Sequence, residues 1–347
     1  LAEPTAAPST DPPGLPVAAV EEHVRRELPD LLQGPLAAEL TSGGRSNLTY
    51  TLTDGHTRWV LRRPPLGHVL ATAHDMGREH RLLAALAPTA VPVPAPLLLA
   101  GPDVIGAPFY VMDFADGAVL RTTEQLAALG EPTARAAAAD LVDVLVRLHA
   151  VVPDEVGLGD LGRPAGYLDR QLRTWKRQLA ASHSRDLPDL DALAERLGSA
   201  VPTTQRDTVV HGDYRLDNVV VDPTDGSVVA VLDWEMATLG DPLTDLASMV
   251  VWWSGVAGLD IPVAAAPGDV PGFPDADQLV AWYAAGTGLD LGDLSWYLGF
   301  AFFKIAAIFE GIHYRSQQGL TVGEDFDRMG AVVPELVARG HAALGGG

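Results

Sequence analysis

The chain has 347 residues, 47% of them hydrophobic, a formal net charge of −21 and no cysteine. That length supports a sizeable core, and the cysteine count excludes disulfides, thiolate metal sites and cysteine nucleophiles. The acidic balance argues against a nucleic-acid partner, since phosphate binding is driven by Lys and Arg; it would attract a cationic ligand and equally serves solubility.

Residues 1–16 are rich in Pro, Ala and Thr without periodicity, so a disordered or loosely attached segment is expected. Val17, Val20, Val24 and Leu28 recur at helical spacing, which predicts a short amphipathic helix over 17–32 that stops near Pro29. Residues 36–63 read as three strands, one ending near Leu40, one over 48–53 and one over 58–62. Asp54-Gly55 is a hairpin signal between the last two. Between the first two lie Ser42, Gly43, Gly44, Arg45, Ser46 and Asn47. Glycines and small hydroxyl residues let backbone N–H groups approach phosphates, although a plain hairpin turn has the same composition. No GxxxxGK[ST] is present, so a P-loop site is not supported. Period-two alternation sends Arg62 and Arg63 to opposite faces of the third strand.

A helix is predicted over 74–86, with Met76, His80, Leu83 and Leu86 broadly on one side. Pro92, Pro94 and Pro96 interrupt regular structure before strands at 97–99 and 107–114. From 122 to 200 the pattern is helical, with Leu141, Val144, Leu145 and Leu148 on one face of 134–150, and Leu168, Leu172, Trp175 and Leu179 on one face of 167–183. His149 reads as a packing or capping residue and Trp175 as a core or lobe contact. Further helices are expected at 243–253, 276–286, 293–317 and 324–344, with a Gly/Pro-rich loop over 255–274 on the substrate side. The helix at 293–317 is aromatic around nearly its whole circumference, which implies burial. Lys304, His313 and Arg315 on it are cations that could meet an anionic substrate, though their spacing requires no such role. No apolar run approaches the roughly 20 residues of a membrane span, and the opening residues lack the basic and apolar regions of a secretory signal. No membrane partner and a cytoplasmic location are therefore expected.

The most informative stretch runs from Thr208 to Asp245. Three apolar runs, 208–210, 219–221 and 228–232, read as strands of one small sheet. Asp213, Asn218 and Asp233 sit where those strands end. All three offer oxygen and no cysteine accompanies them, a donor set that suits Mg2+ rather than zinc. An Asp, an Asn five residues on and an Asp after the next strand match the kinase catalytic loop. There the first Asp takes the acceptor hydroxyl proton, while the Asn and later Asp hold metal on nucleotide phosphates. A hairpin whose Asp and Asn merely make turns is the bland alternative.

The motifs GGRSNLTY, YVMDF, HGDYRLDN and DWEMATLGDP resemble those of the aminoglycoside phosphotransferase superfamily of kinase-like small-molecule kinases. Their wording is most similar to the branch whose members occur alone or joined to an acyl-CoA dehydrogenase domain. The resemblance runs from about Leu40 to the C-terminus. It implies an α+β, protein-kinase-like two-lobed fold, with a mainly β N-lobe (17–114), a helical C-lobe (115–347) and an active site between them. It implies that Arg62 takes the place of the kinase phosphate-binding Lys, keeping the charge with a bidentate grip. Glu79 would be its ion-pair partner. Backbone groups near Met112 to Phe114 would meet the nucleobase, and Asp245 would accept backbone hydrogen bonds from the catalytic loop. Glu235 and Asp241 are further carboxylates of structural or substrate-facing character.

The implied reaction moves the γ-phosphoryl group of ATP or GTP, with Mg2+, to a small-molecule hydroxyl. The branch points to a metabolite such as a hydroxy acid or hydroxyacyl thioester, and the superfamily label to an aminoglycoside or macrolide. Choline- or homoserine-like acceptors stay open. Two other classes compete. A nucleotide-binding pseudokinase is suggested by Arg62 in place of Lys, and opposed by the intact Asp213, Asn218 and Asp233. A Mg2+-dependent phosphohydrolase would need a nucleophilic Asp-x-Asp at an early strand end, and the chain offers no convincing one.

Overall fold

The computed structural model describes residues 11–41, 47–66, 75–182, 185–261, 265–319 and 328–345. The chain forms two compact units, residues 1–89 with 93–115, and residues 90–92 with 116–347.

In the first unit β1 (Ala37–Leu40), β2 (Leu48–Thr53), β3 (Arg58–Arg63), β4 (Pro96–Ala100) and β5 (Phe109–Asp113) make one antiparallel sheet in the order β1-β2-β3-β5-β4. Alternation decides its faces. Tyr50, Leu52, Trp59, Leu61, Phe109 and Val111 point into a core shared with Val20 and Val24 of α1 (Val17–Glu27). Arg62 lies opposite Thr49 and Tyr110 in the register, and α2 (Met76–Leu86) packs against β4 and β5. Arg62 and Arg63 find different partners, Glu79 and the Gly14 carbonyl.

One expectation is corrected here. The described part of the N-terminal segment, residues 11–16, is held rather than loose: Leu15 enters the core at 1% exposure and the Tyr50 hydroxyl donates to the Pro13 carbonyl at 2.6 Å. Composition hid this, because a single buried leucine is enough to anchor a proline-rich strap. Residues 1–10 lie outside the described residues. The first helix ends at Glu27, two residues before Pro29 and in line with the expected stop there, and Arg25 donates to the carbonyls of Leu32 and Gly34 beyond it.

The second unit is mainly helical: α3 (Thr123–Ala127), α4 (Glu131–Ala150), α5 (Tyr167–Ala181), α6 (Pro188–Ser199), α7 (Leu243–Val250), α8 (Ala276–Thr287), α9 (Leu294–Gln317) and α10 (Met329–Ala343). Its strands β6 (Thr208–Val210), β7 (Val219–Val221), β8 (Val228–Val231) and β9 (Thr238–Gly240) form two separate pairs, β6-β9 and β7-β8, not the single sheet expected. The reason is local. Gly212 at positive φ and a 3-10 turn at Leu216–Asn218 redirect the chain, and the three-residue β9, ending in Gly240, was too short to read as a strand. The helix expected over 243–253 ends at Val250 and continues as a wide π turn, Val251–Gly255. By length and composition α9 could cross a membrane, contrary to the reading of the apolar runs. Yet 72% of its apolar window is buried, against α5, α6, α7 and α10.

The hairpin turn after β2 offers a test. Asp54 accepts the N–H groups of His56 (2.9 Å) and Thr57 (2.8 Å) on one oxygen and that of Gln33 (2.8 Å) on the other. The Thr57 bond, then the Gln33 bond, hold its carboxyl well below the usual range. A depressed native value gives stability that is present above the unfolded value of about 4 and drains as pH falls through the native one. Urea unfolding of Asp54→Ala should therefore show a lower midpoint than wild type at pH 7. The gap should narrow at pH 3.

Candidate active site

β6 leads into His211-Gly212-Asp213. Gly212 has φ +84°, and a Cβ there would lie 2.8 Å from the Met236 carbonyl oxygen, so only glycine fits. Asp245, in the first turn of α7, receives the His211 N–H on Oδ2 (2.6 Å) and the Gly212 N–H on Oδ1 (2.8 Å). His149, at the end of α4, meets the same Oδ2 at 3.3 Å through Nε2, and its Nδ1 lies 2.8 Å from the Tyr283 hydroxyl on α8. Burial pushes the Asp245 carboxyl up, but the bond and charge of His149, with His211 behind them, outweigh it and the net shift is downward. Asp241 is structural in the same way. It accepts the Leu243 N–H (3.0 Å) and the Tyr297 hydroxyl (2.8 Å), while burial raises its carboxyl.

His211 has one possible tautomer. Nε2 faces the Leu232 carbonyl at 2.8 Å and must donate; Nδ1 receives the Asp213 N–H at 3.2 Å and must be bare. The ring thus bridges the loop to the residue before Asp233. Leu232 answers by donating its N–H to the Asn218 carbonyl at 2.8 Å. Asp233 follows in the left-handed region, φ 63° and ψ 61°, the one non-glycine residue at positive φ among the described residues. Such strain persists where surrounding bonds fix it and is common at functional sites.

The Asn218 amide nitrogen donates to both the Asp213 carbonyl (2.9 Å) and its Oδ2 (3.0 Å), which leaves Asn218 Oδ1 as an acceptor for another group. Among the described residues no three His, Cys, Asp or Glu side chains form a metal cage. An amide oxygen and a single Asp suit Mg2+, which keeps waters and substrate phosphates in its shell. Arg215 Nε lies 3.3 Å from Asp213 Oδ2 and its Nη1 3.2 Å from Asp217 Oδ2, with the guanidinium 4.5 Å above the Trp252 ring. Arg215 and Asp217 join Leu120, Met249, Trp252 and Trp253 around a cleft. Glu235 is exposed on the turn after Asp233.

In the first unit, the Arg62 guanidinium and the Glu79 carboxylate form a buried ion pair. Tyr110, facing Arg62 across the strands, has its hydroxyl raised well above the usual range, by burial first and by the Glu79 charge second. Asn47 is buried at the entry to β2; Met112 is buried on β5, and the Arg58 guanidinium sits 4.0 Å over the Phe114 ring. Ser42, Gly43, Gly44 and Ser46 lie outside the described residues. The sequence reading missed Tyr110, Tyr283 and the contact of Arg215 with Asp213. His149, expected to pack or cap, is fully buried and in addition bonds Asp245 and Tyr283; a polar residue beside the Leu141, Leu145, Leu148 stripe is the signal for that.

Residues 37–294 match the model of the phosphotransferase enzyme family, APH. The chain belongs to that family. It is 34% identical over 324 residues to acyl-CoA dehydrogenase family member 10 of Mus musculus, covering 92% of this chain and 30% of the relative. It spans 30 to 42% of the length of the curated relatives it matches. A solved structure from Ralstonia eutropha, provisionally named an aminoglycoside phosphotransferase, is 33% identical with a TM-score of 0.80, covering 94% of this chain and 98% of that one. The GDP complex of aminoglycoside 2'-phosphotransferase-IIIa shares the fold at 16% identity and TM-score 0.62, covering 94% and 99%.

Asp245 carries the loop's geometry, so its charge should be costly to remove. In Asp245→Asn one oxygen becomes an amide donor facing a backbone donor. Breaking a buried pair of this kind costs about 3–5 kcal/mol. Urea unfolding at pH 7 should show a loss of that size.

Proposed function

We propose that this APH-family protein transfers the γ-phosphoryl group of ATP or GTP to a hydroxyl of a small metabolite, of the hydroxy-acid or hydroxyacyl-thioester class. The observation that carries the reaction type is the pairing of Asn218 with Asp213, which aims a carboxylate and leaves an amide oxygen for metal. Asp213 orients the acceptor hydroxyl and takes its proton. Asn218 and Asp233 hold Mg2+, which when bound neutralises charge on the nucleotide phosphates. Arg62, kept in place by Glu79, and the 42–47 loop bind phosphates. The backbone around Met112 to Phe114 binds the base. Positioning and charge stabilisation do most of the work.

The acceptor class rests on one support: curated relatives are named acyl-CoA dehydrogenase family members.

The test is nucleotide consumption with Mg2+ and ATP or GTP against free and CoA-linked hydroxy acids, choline, homoserine, aminoglycosides and macrolides. Turnover is expected with a hydroxy acid or its thioester. It should fall by about 1000-fold in Asp213→Ala, with nucleotide affinity nearly unchanged. Turnover confined to an antibiotic would overturn the acceptor class. Wild-type turnover in Asp213→Ala would overturn the role of that residue.

A further inference from the structure

Lys304 lies in the middle of α9, among residues otherwise chosen for burial. Its ammonium donates to the Gly212 carbonyl and sits 5.6 Å from the centre of the Trp175 ring on α5. Lys304 itself is part-buried, and an ammonium partly withdrawn from water needs an acceptor to hold it. Burial pushes Lys304 down, the charges of Asp213 and Asp245 pull it back up, and Arg215 adds to the depression.

The bond matters because of which carbonyl it takes. The Gly212 carbonyl and the Asp213 N–H belong to one planar peptide unit. Lys304 grips that plane at its oxygen, and His211 Nδ1 receives its N–H at 3.2 Å. One residue earlier, Asp245 takes the Gly212 N–H. The Asp213 side chain springs from this plane, so the plane's tilt sets where the carboxylate points. Neither Asp245 nor His211 touches the carbonyl end.

We propose that Lys304 is a positioning residue for phosphoryl transfer, clamping the Gly212–Asp213 peptide so that the Asp213 carboxylate is aimed at the acceptor hydroxyl. This rests on the phosphotransferase reading of the same site. It assigns a task to a residue outside the catalytic loop, supplied by a helix almost a hundred positions away in sequence.

Lys304→Met keeps length and removes the donor; Lys304→Arg restores one. Two readouts separate this proposal from the reading beneath it. Hydrogen exchange in the full-length protein needs no substrate: the amides of 211–214 should exchange at least about tenfold faster in Lys304→Met, and near the wild-type rate in Lys304→Arg. With an acceptor in hand, kcat should fall by about 100-fold in Lys304→Met, the order expected from a misplaced catalytic group. Nucleotide KM should stay within twofold, and because the Gly212 carbonyl loses its donor the thermal midpoint should fall a little, so kcat is compared well below both midpoints. Lys304→Arg should recover part of the loss. Unchanged exchange at 211–214 overturns the proposal, whatever the activity. So does faster exchange with wild-type kcat, or a kcat loss that only tracks a lowered midpoint. A wild-type protein that turns over no acceptor would instead count against the phosphotransferase reading.

Discussion

A single buried carboxylate organises the second unit. Asp245 collects two consecutive backbone N–H groups from the loop after β6 and one imidazole from the end of α4. A carboxylate at 1% exposure is stable only when its lone pairs are spent. Spending them here fixes the path of His211 and Gly212, and that path sets the start of Asp213. The positive φ of Gly212 goes with that path, while the tautomer of His211 is set by the Leu232 carbonyl and the Asp213 N–H.

The proposed catalytic loop is thus over-determined. Asp245 holds its amides, His211 ties it to Leu232, Asn218 holds the Asp213 carboxylate and Lys304 holds the Gly212 carbonyl. Preorganisation of this kind is what phosphoryl transfer asks of a protein, since little covalent chemistry falls to the side chains. The first unit repeats the logic on a smaller scale. Arg62, the cation proposed to meet phosphate, is paired with Glu79 and lies opposite the buried Tyr110, on the sheet face away from the core.

Much of this was legible in the sequence because it rests on periodicity and spacing. Alternation in 48–63 gave both strands and the separate destinations of Arg62 and Arg63. The five-residue step from Asp213 to Asn218 matched a turn that closes on itself, with amide bonded to carboxylate. What escaped depends on long-range partners that leave no local pattern. The β6-β9 pairing joins runs almost thirty residues apart, one of them a mere Thr238-Leu239-Gly240. Leu15 anchors a segment whose composition signals disorder. Tyr283 looks like an ordinary helix residue until the fold sets its hydroxyl beside His149.

The most direct measurement follows the phosphorus itself. Nucleotide labelled in its γ-phosphate is incubated with the protein, Mg2+ and a hydroxylated acyl acceptor, and the label is located by product separation. The expected result is label in an organic phosphate ester, formed only when acceptor and an intact Asp213 are both present. Label released as inorganic phosphate at the same rate with and without acceptor would contradict the assignment of this loop to phosphoryl transfer onto an alcohol.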